Sequence, residues 1–145
     1  MPELPDVTVY IERLAALIVG QTLRELEVRN VFVLRSVTPT PADLAGRSVR
    51  EVRRIGKRIV IGFEGERFAV IHLMIAGRLR WRATGRKAPG RITLAAFVFP
   101  HGTLFLTEAG STRRASIVLV AGEGGLAQFD RGGLEVLESS RDAFD

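Results

Sequence analysis

The sequence predicts a mainly β fold with flanking helices: a two-layer antiparallel β-sandwich of about eight strands behind an N-terminal helix over 5–19. Three observations carry this. Apolar residues recur at helical spacing only near the start. After Gln21 the period changes to that of strands. The short apolar runs are then separated, at near-regular intervals, by Gly, Pro and polar turns.

Val7, Tyr10, Leu14 and Leu17, joined by Val9 and Ile18, define the helical stripe, and Gly20 is a natural stop. Leu26–Arg29 alternates, and Val31–Leu34 is a short apolar run. Thr38-Pro39-Thr40-Pro41 breaks the chain, and Pro41–Leu44 reads as one helical turn ended by Gly46. Val49–Ile55 and Arg58–Phe63 read as strands with Gly56-Lys57 between them, and Glu64-Gly65-Glu66 turns the chain into Phe68–Leu73. Gly77–Arg82 extends this run, followed by a basic loop over Ala83–Gly90. In Ile92–Phe99 the alternation puts Ile92, Leu94, Ala96 and Val98 on one face. Pro100-His101-Gly102 leads into Thr103–Thr107, a polar loop covers Glu108–Arg114, and Ser116–Val120 is the last strand. After Ala121-Gly122-Glu123-Gly124-Gly125 the character becomes acidic and weakly structured, with Ser139 or Ser140 placed to cap a new helix. A chain ending within that first turn is expected to be part of a longer one.

The 145 residues suffice for one domain with a real core, and 46% hydrophobic with 26% charged residues is ordinary for a globular chain. There is no Cys, which excludes disulfides and thiolate metal sites within this chain, and His72 and His101 are the only histidines. No apolar run approaches the roughly 18 residues of a membrane helix. No secretory pattern opens the chain, so a reducing, cytoplasmic setting is expected.

Charge is unevenly spread over the net +5. Residues 1–120 hold 19 of the 21 Lys and Arg and 10 of the 16 Asp and Glu, a net of +9; residues 121–145 hold the other 2 and 6, a net of −4. A basic body suits a polyanion partner, and it equally suits a solvated basic surface. Only Lys57 and Lys87 are lysines, which makes each notable, because Arg does not act as an amine nucleophile or proton donor.

The opening Met1-Pro2-Glu3-Leu4-Pro5-Asp6 admits two readings. One is a helix lead-in with Pro5 at N1 and acids in the first turn. The other is chemical. With Met1 removed, Pro2 carries a free secondary amine titrating near roughly 8, nucleophilic at neutral pH, with Glu3 beside it to move protons.

Met1-Pro2-Glu3-Leu4-Pro5-Asp6-Val7 followed by a helix resembles the opening of the formamidopyrimidine-DNA glycosylase and endonuclease VIII family. Ile55-Gly56-Lys57-Arg58 resembles the family's lysine-bearing β-turn. His72-Leu73-Met74-Ile75-Ala76-Gly77 resembles its His-Leu-Gly-Met-Ser-Gly segment, and Thr107–Ser116 stands where it places an Asp-Pro-Arg-Arg-Phe-Gly loop. The resemblance covers the family's N-terminal domain. It implies a base-excision enzyme that removes oxidised bases from double-stranded DNA and then nicks the abasic strand by β- or δ-elimination. By match, Pro2 attacks C1′, Glu3 opens the sugar and shuttles protons, and Lys57 contacts phosphate and assists proton transfer. Arg53, Arg54, Arg58, His72, Arg113 and Arg114 become candidate DNA contacts. Taken singly, each arginine also fits a solvated surface, and His72 a satisfied core position.

Two departures bear on specificity. The family's void-filling Met aligns with Ile75, and Met74 stands one residue earlier; either inserts into DNA or packs in the core. The arginine loop lacks Asp-Pro and has Ala115 where an aromatic is usual. The resemblance further implies 1–121 as the catalytic domain and 122–145 as a linker leading to a C-terminal domain beyond this chain. That domain would carry the zinc finger, and no cofactor is expected in this chain. A monomer in a bacterial cytoplasm, associated with the nucleoid, is expected. Alone, the chain should bind DNA weakly, with strong salt dependence and weak or no action on base lesions. The alternative is a non-catalytic DNA-binding β-domain that keeps the fold and the basic face.

Overall fold

The computed structural model describes residues 4–30, 32–36, 38–74, 76–84, 90, 92–109 and 114–129, with side chains from Val9 onward except Tyr10. Helix α1 (Leu4–Ile18) is followed by β1 (Glu25–Val28), the short α2 (Pro41–Leu44), β2 (Val49–Ile55), β3 (Arg58–Phe63) and β4 (Arg67–His72). Then come β5 (Gly77–Ala83), β6 (Thr93–Phe99), β7 (Gly102–Glu108) and β8 (Ser116–Ala121). A last helix, α3, spans 122–129.

The eight strands form two four-stranded antiparallel sheets, ordered β1-β6-β7-β5 and β2-β3-β4-β8. Their facing sides bury one continuous core that includes Ile59, Ile61, Ile71, Phe97, Leu106 and Ile117. This is the predicted sandwich, with alternate residues of each strand turned inward.

Helix α1 begins and ends one residue earlier than its periodicity suggests. Leu14 and Ile18 are buried, and Ile11 and Leu17 pack against the same core, whereas Val9 is exposed and outside the inner stripe. Gly20 stops the helix at φ +88°, a conformation that a Cβ disfavours. The helix end is pinned three ways: Gly20 N donates to Val49 O at 2.9 Å, Gln21 N to Ile18 O, and the His101 Nε2 lies 2.9 Å from Leu17 O.

In β6 a bulge between Thr93 and Ala95 resets the alternation. Leu94, Ala95, Phe97 and Phe99 enter the core, while Val98 is only half-buried. The face predicted from Ile92, Leu94, Ala96 and Val98 is therefore split by the bulge.

Strands β3 and β4 carry apolar residues on both faces, so one core is not enough to cover them. Val60, Phe68 and Val70 on the outer face form a second cluster with Val120 and Leu126. Leu126 is 2% exposed and comes from α3. The segment from 122, expected to be weakly structured, is thus helical through 129, because it caps an apolar sheet face. The reading of 130–145, including the caps at Ser139 or Ser140, lies outside the described residues.

At the opposite end of this sheet from the β2–β3 turn, Thr40 caps α2 through Asp43 N. Arg67, bonded at 2.8 Å, and to a lesser degree Arg47 hold the Asp43 carboxyl below the usual carboxylate range. That end also carries the Glu64-Gly65-Glu66 turn.

Candidate functional site

Strand register assembles one end of the sandwich. Ile55 pairs with Arg58, Arg58 with His72, and His72 with Ser116, so these four residues form a single row across β2-β3-β4-β8. The turns and loops that leave this row are Gly56-Lys57, 73–76 and 109–115. The second sheet reaches the same end, where Gly77 pairs with Glu108. The segment after β1 joins them: Val33 O accepts from Ile117 N and Arg35 N donates to Ile117 O.

Charge along the strands is polarised. Loops 29–36, 56–57, 73–76 and 109–115 contain Arg29, Arg35, Lys57, Arg113 and Arg114 and no Asp or Glu. The far β3–β4 turn carries Glu64 and Glu66. Such an end attracts polyanions by field as well as by contact.

Lys57 is exposed in a two-residue hairpin whose first residue, Gly56, has φ +61°. Arg54 is exposed two residues before Gly56. Arg58 is half-buried, its guanidinium 5.2 Å from the Phe129 ring centroid. Arg53 is not brought to the end row. It pairs with Glu123 at 3.2 Å and Glu51 at 3.6 Å and lies over Phe68, so it fastens α3 to the sheet. Arg114 is exposed beside the row. Pro2, Glu3, Ile75 and Arg113 lie outside the described residues.

Met74 is 37% exposed at φ +60°. Met74 and Ala76 lie in a turn between β4 and β5, not in a strand. The turn is closed by Gly77 N donating to Leu73 O at 2.9 Å. A Cβ on Gly77 would stand 2.3 Å from that same oxygen, which is why glycine is required there. Positive φ for a side chain as large as Met is uncommon and locally costly.

His72 is half-buried and titrates below the ordinary imidazole value, first because of burial and then because of the Arg58 and Lys57 charges. Below about pH 6.5 the unfolded chain therefore binds more protons than the folded one, and stability rises with pH there. The contribution is present above that value and is lost as pH falls through the lowered folded pKa. Urea unfolding between about pH 7.5 and 5.5 is expected to show falling stability, with a shallower slope in His72→Gln. An unchanged slope in that variant would remove His72 from the account.

Glu108, read from sequence as the first residue of a polar loop, ends β7 and is 2% exposed. Its Oε1 accepts from Arg114 N at 2.8 Å and Ala115 N at 3.1 Å, closing the arginine loop onto the sheet. No local signal marks it, since its burial comes from pairing with Gly77 across the sheet. Among the described residues no group of three or more His, Asp or Glu is placed to hold a metal ion, and no helix is long and apolar enough to cross a membrane.

These features define a helix-capped β-sandwich domain with one end whose connecting loops are basic. The chain belongs to the formamidopyrimidine-DNA glycosylase family: the model of that family's N-terminal domain matches residues 1–114. Relatives bearing the name formamidopyrimidine-DNA glycosylase include that of Solibacter usitatus, 37% identical over 75% of this chain and 40% of its own length. That of Heliobacterium modesticaldum is 34% identical over 92% of this chain and 50% of its own. The chain thus spans half or less of these relatives. The fold matches the Lactococcus lactis formamidopyrimidine-DNA glycosylase non-covalently bound to DNA containing an abasic site, with TM-score 0.79, 19% identity, and 90% and 49% of the two chains covered. It also matches that enzyme with DNA containing a formamidopyrimidine-deoxyguanosine lesion, with TM-score 0.79 and 19% identity over 89% of this chain and 48% of the other.

Proposed function

We propose that this chain is the N-terminal part of a base-excision DNA glycosylase that acts on oxidised bases in duplex DNA and also cleaves the resulting abasic strand. The observation that carries the reading is the basic end row, found in a chain of this family. Lys57, Arg58, His72 and Arg114 converge there from separate strands and loops. Strand ends and loops of this kind suit phosphate oxygens, which position a duplex without reading its sequence.

In this reading the Pro2 nitrogen lone pair attacks C1′, and the bond from C1′ to the base breaks with its electrons leaving on the base. The Pro2 nitrogen gives up its N–H proton, Glu3 protonates the ring oxygen as the bond from C1′ to that oxygen breaks, and the nitrogen lone pair closes an iminium with C1′. Loss of a C2′ proton then expels the 3′ phosphate, and a second elimination releases the 5′ phosphate. Lys57 contacts phosphate and assists proton transfer at the departing base. Helix α1 supports the geometry. Its 15 residues span about 22 Å at 1.5 Å each, close to the length of β2. Its far end is anchored beside Val49, where Gly20 N donates to Val49 O.

The zinc that the family resemblance implies does not fit this chain, which has no Cys and two histidines. It would belong to a further domain, as would much of the DNA grip. A DNA substrate would place the protein with the bacterial nucleoid.

Anisotropy titration of an abasic-site duplex tests the reading. Affinity is expected to fall steeply, by roughly tenfold or more, between about 50 and 200 mM salt. No binding at the lower salt would overturn it.

A further inference from the structure

Phe32 is 77% exposed, the largest exposure among the large hydrophobics described, and the mechanism does not use it. It is held rather than loose. Its N donates to Asn30 Oδ1 at 2.9 Å, and its carbonyl accepts from Arg35 Nε at 2.6 Å. The next residue, Val33, is 2% exposed and bonds through its carbonyl to Ile117 N at 2.8 Å. Leu34 bridges Ile117 in parallel, so this segment extends the β2-β3-β4-β8 sheet beyond β8. Register then sets Phe32 past the end of the row that contains Arg58, His72 and Ser116, level with Ala115.

Leaving an aromatic in water on a braced turn forgoes burial that a core position would supply. Its surroundings indicate the occupant. The loops around it contain Arg and Lys and no Asp or Glu, which suits a polyanion such as a nucleic acid and disfavours a basic or plainly apolar partner surface. Met74, the other exposed large apolar residue described at this end, is the second residue after β4.

Building on the DNA reading above, we infer that Phe32 is a nucleobase-stacking contact that inserts its ring at a base step of the bound duplex, on the same end of the sandwich as Met74. Stacking is tolerant of sequence and depends on an aromatic face rather than on charge. It therefore differs in signature from the phosphate contacts of Arg58 or Arg114.

The test uses this chain and an abasic-site duplex. Phe32→Ala is expected to weaken binding roughly tenfold while leaving the slope of log affinity against log salt unchanged. Phe32→Tyr should stay within about twofold of the parent, since the ring is kept. Phe32→Trp should lose fluorescence when the duplex is added, a readout independent of affinity. Undiminished affinity in Phe32→Ala, or an unquenched indole in Phe32→Trp, overturns the inference and leaves Phe32 as a surface for another partner. A shallower salt slope in Phe32→Ala also overturns it, because the loss would then be a displaced charge. If the parent chain fails to bind at low salt, the DNA reading itself falls, an outcome distinct from a failure of Phe32 alone.

Discussion

A chain carrying a residue ahead of Pro2 is expected to form no borohydride-trapped adduct with an abasic-site duplex, whereas the chain beginning at Pro2 does form one. The physical difference is one nitrogen. With a free terminus Pro2 is a secondary amine whose α-amino group titrates near roughly 8, so a useful fraction is unprotonated at neutral pH. Lysine, near roughly 10.4, offers far less. Acylation by a preceding residue turns that nitrogen into a tertiary amide, whose lone pair is delocalised into the carbonyl. Removing a nucleophile of this kind costs roughly a thousandfold or more in rate. Binding should be nearly unchanged, because the basic row of Arg58 and His72 is intact, and this separates lost chemistry from lost affinity. Equal adduct from the blocked chain would assign the amine elsewhere, with Lys57, exposed in its turn, the first residue to test.

Glu108→Ala is expected to destabilise the fold by about 2–4 kcal/mol. Two backbone donors, Arg114 N and Ala115 N, rely on the one carboxylate oxygen, and the Ala115 bond is buried. Deleting the acceptor leaves both donors unsatisfied where water reaches poorly, and an unsatisfied buried donor costs more than a made bond contributes. For a chain of this size the loss corresponds to a fall in Tm of about 10 °C. Glu108→Gln keeps an acceptor oxygen and should lose less than half as much. A Tm within about 2 °C of the parent for Glu108→Ala would show that the loop does not depend on this residue. Abasic-duplex binding should weaken along with stability in Glu108→Ala, because the same bonds seat Arg114 beside the row.

The two variants act on parts of the protein that differ in how they were legible. The amine proposed at Pro2 would follow from chain chemistry, the loss of Met1, and is suggested by the order of residues without any fold contact. The Glu108 bonds exist only once β7 has paired with β5 and the chain has returned through 109–115.

The sequence alone determined the helix stop at Gly20, the hairpin at Gly56-Lys57, the eight strands and their grouping into a sandwich. Each depends on periodicity or turn chemistry within a few residues, where steric and solvation preferences act locally. Tertiary structure alone decided which basic residues share the end row, why Arg53 turns instead to Glu123, and why 122–129 is helical. It alone decided that Phe32 stands in water. These rest on partners such as Val33 with Ile117 and Arg53 with Glu123, which lie far apart along the chain. Their energies arise only when distant segments exclude water together, and no local pattern encodes that.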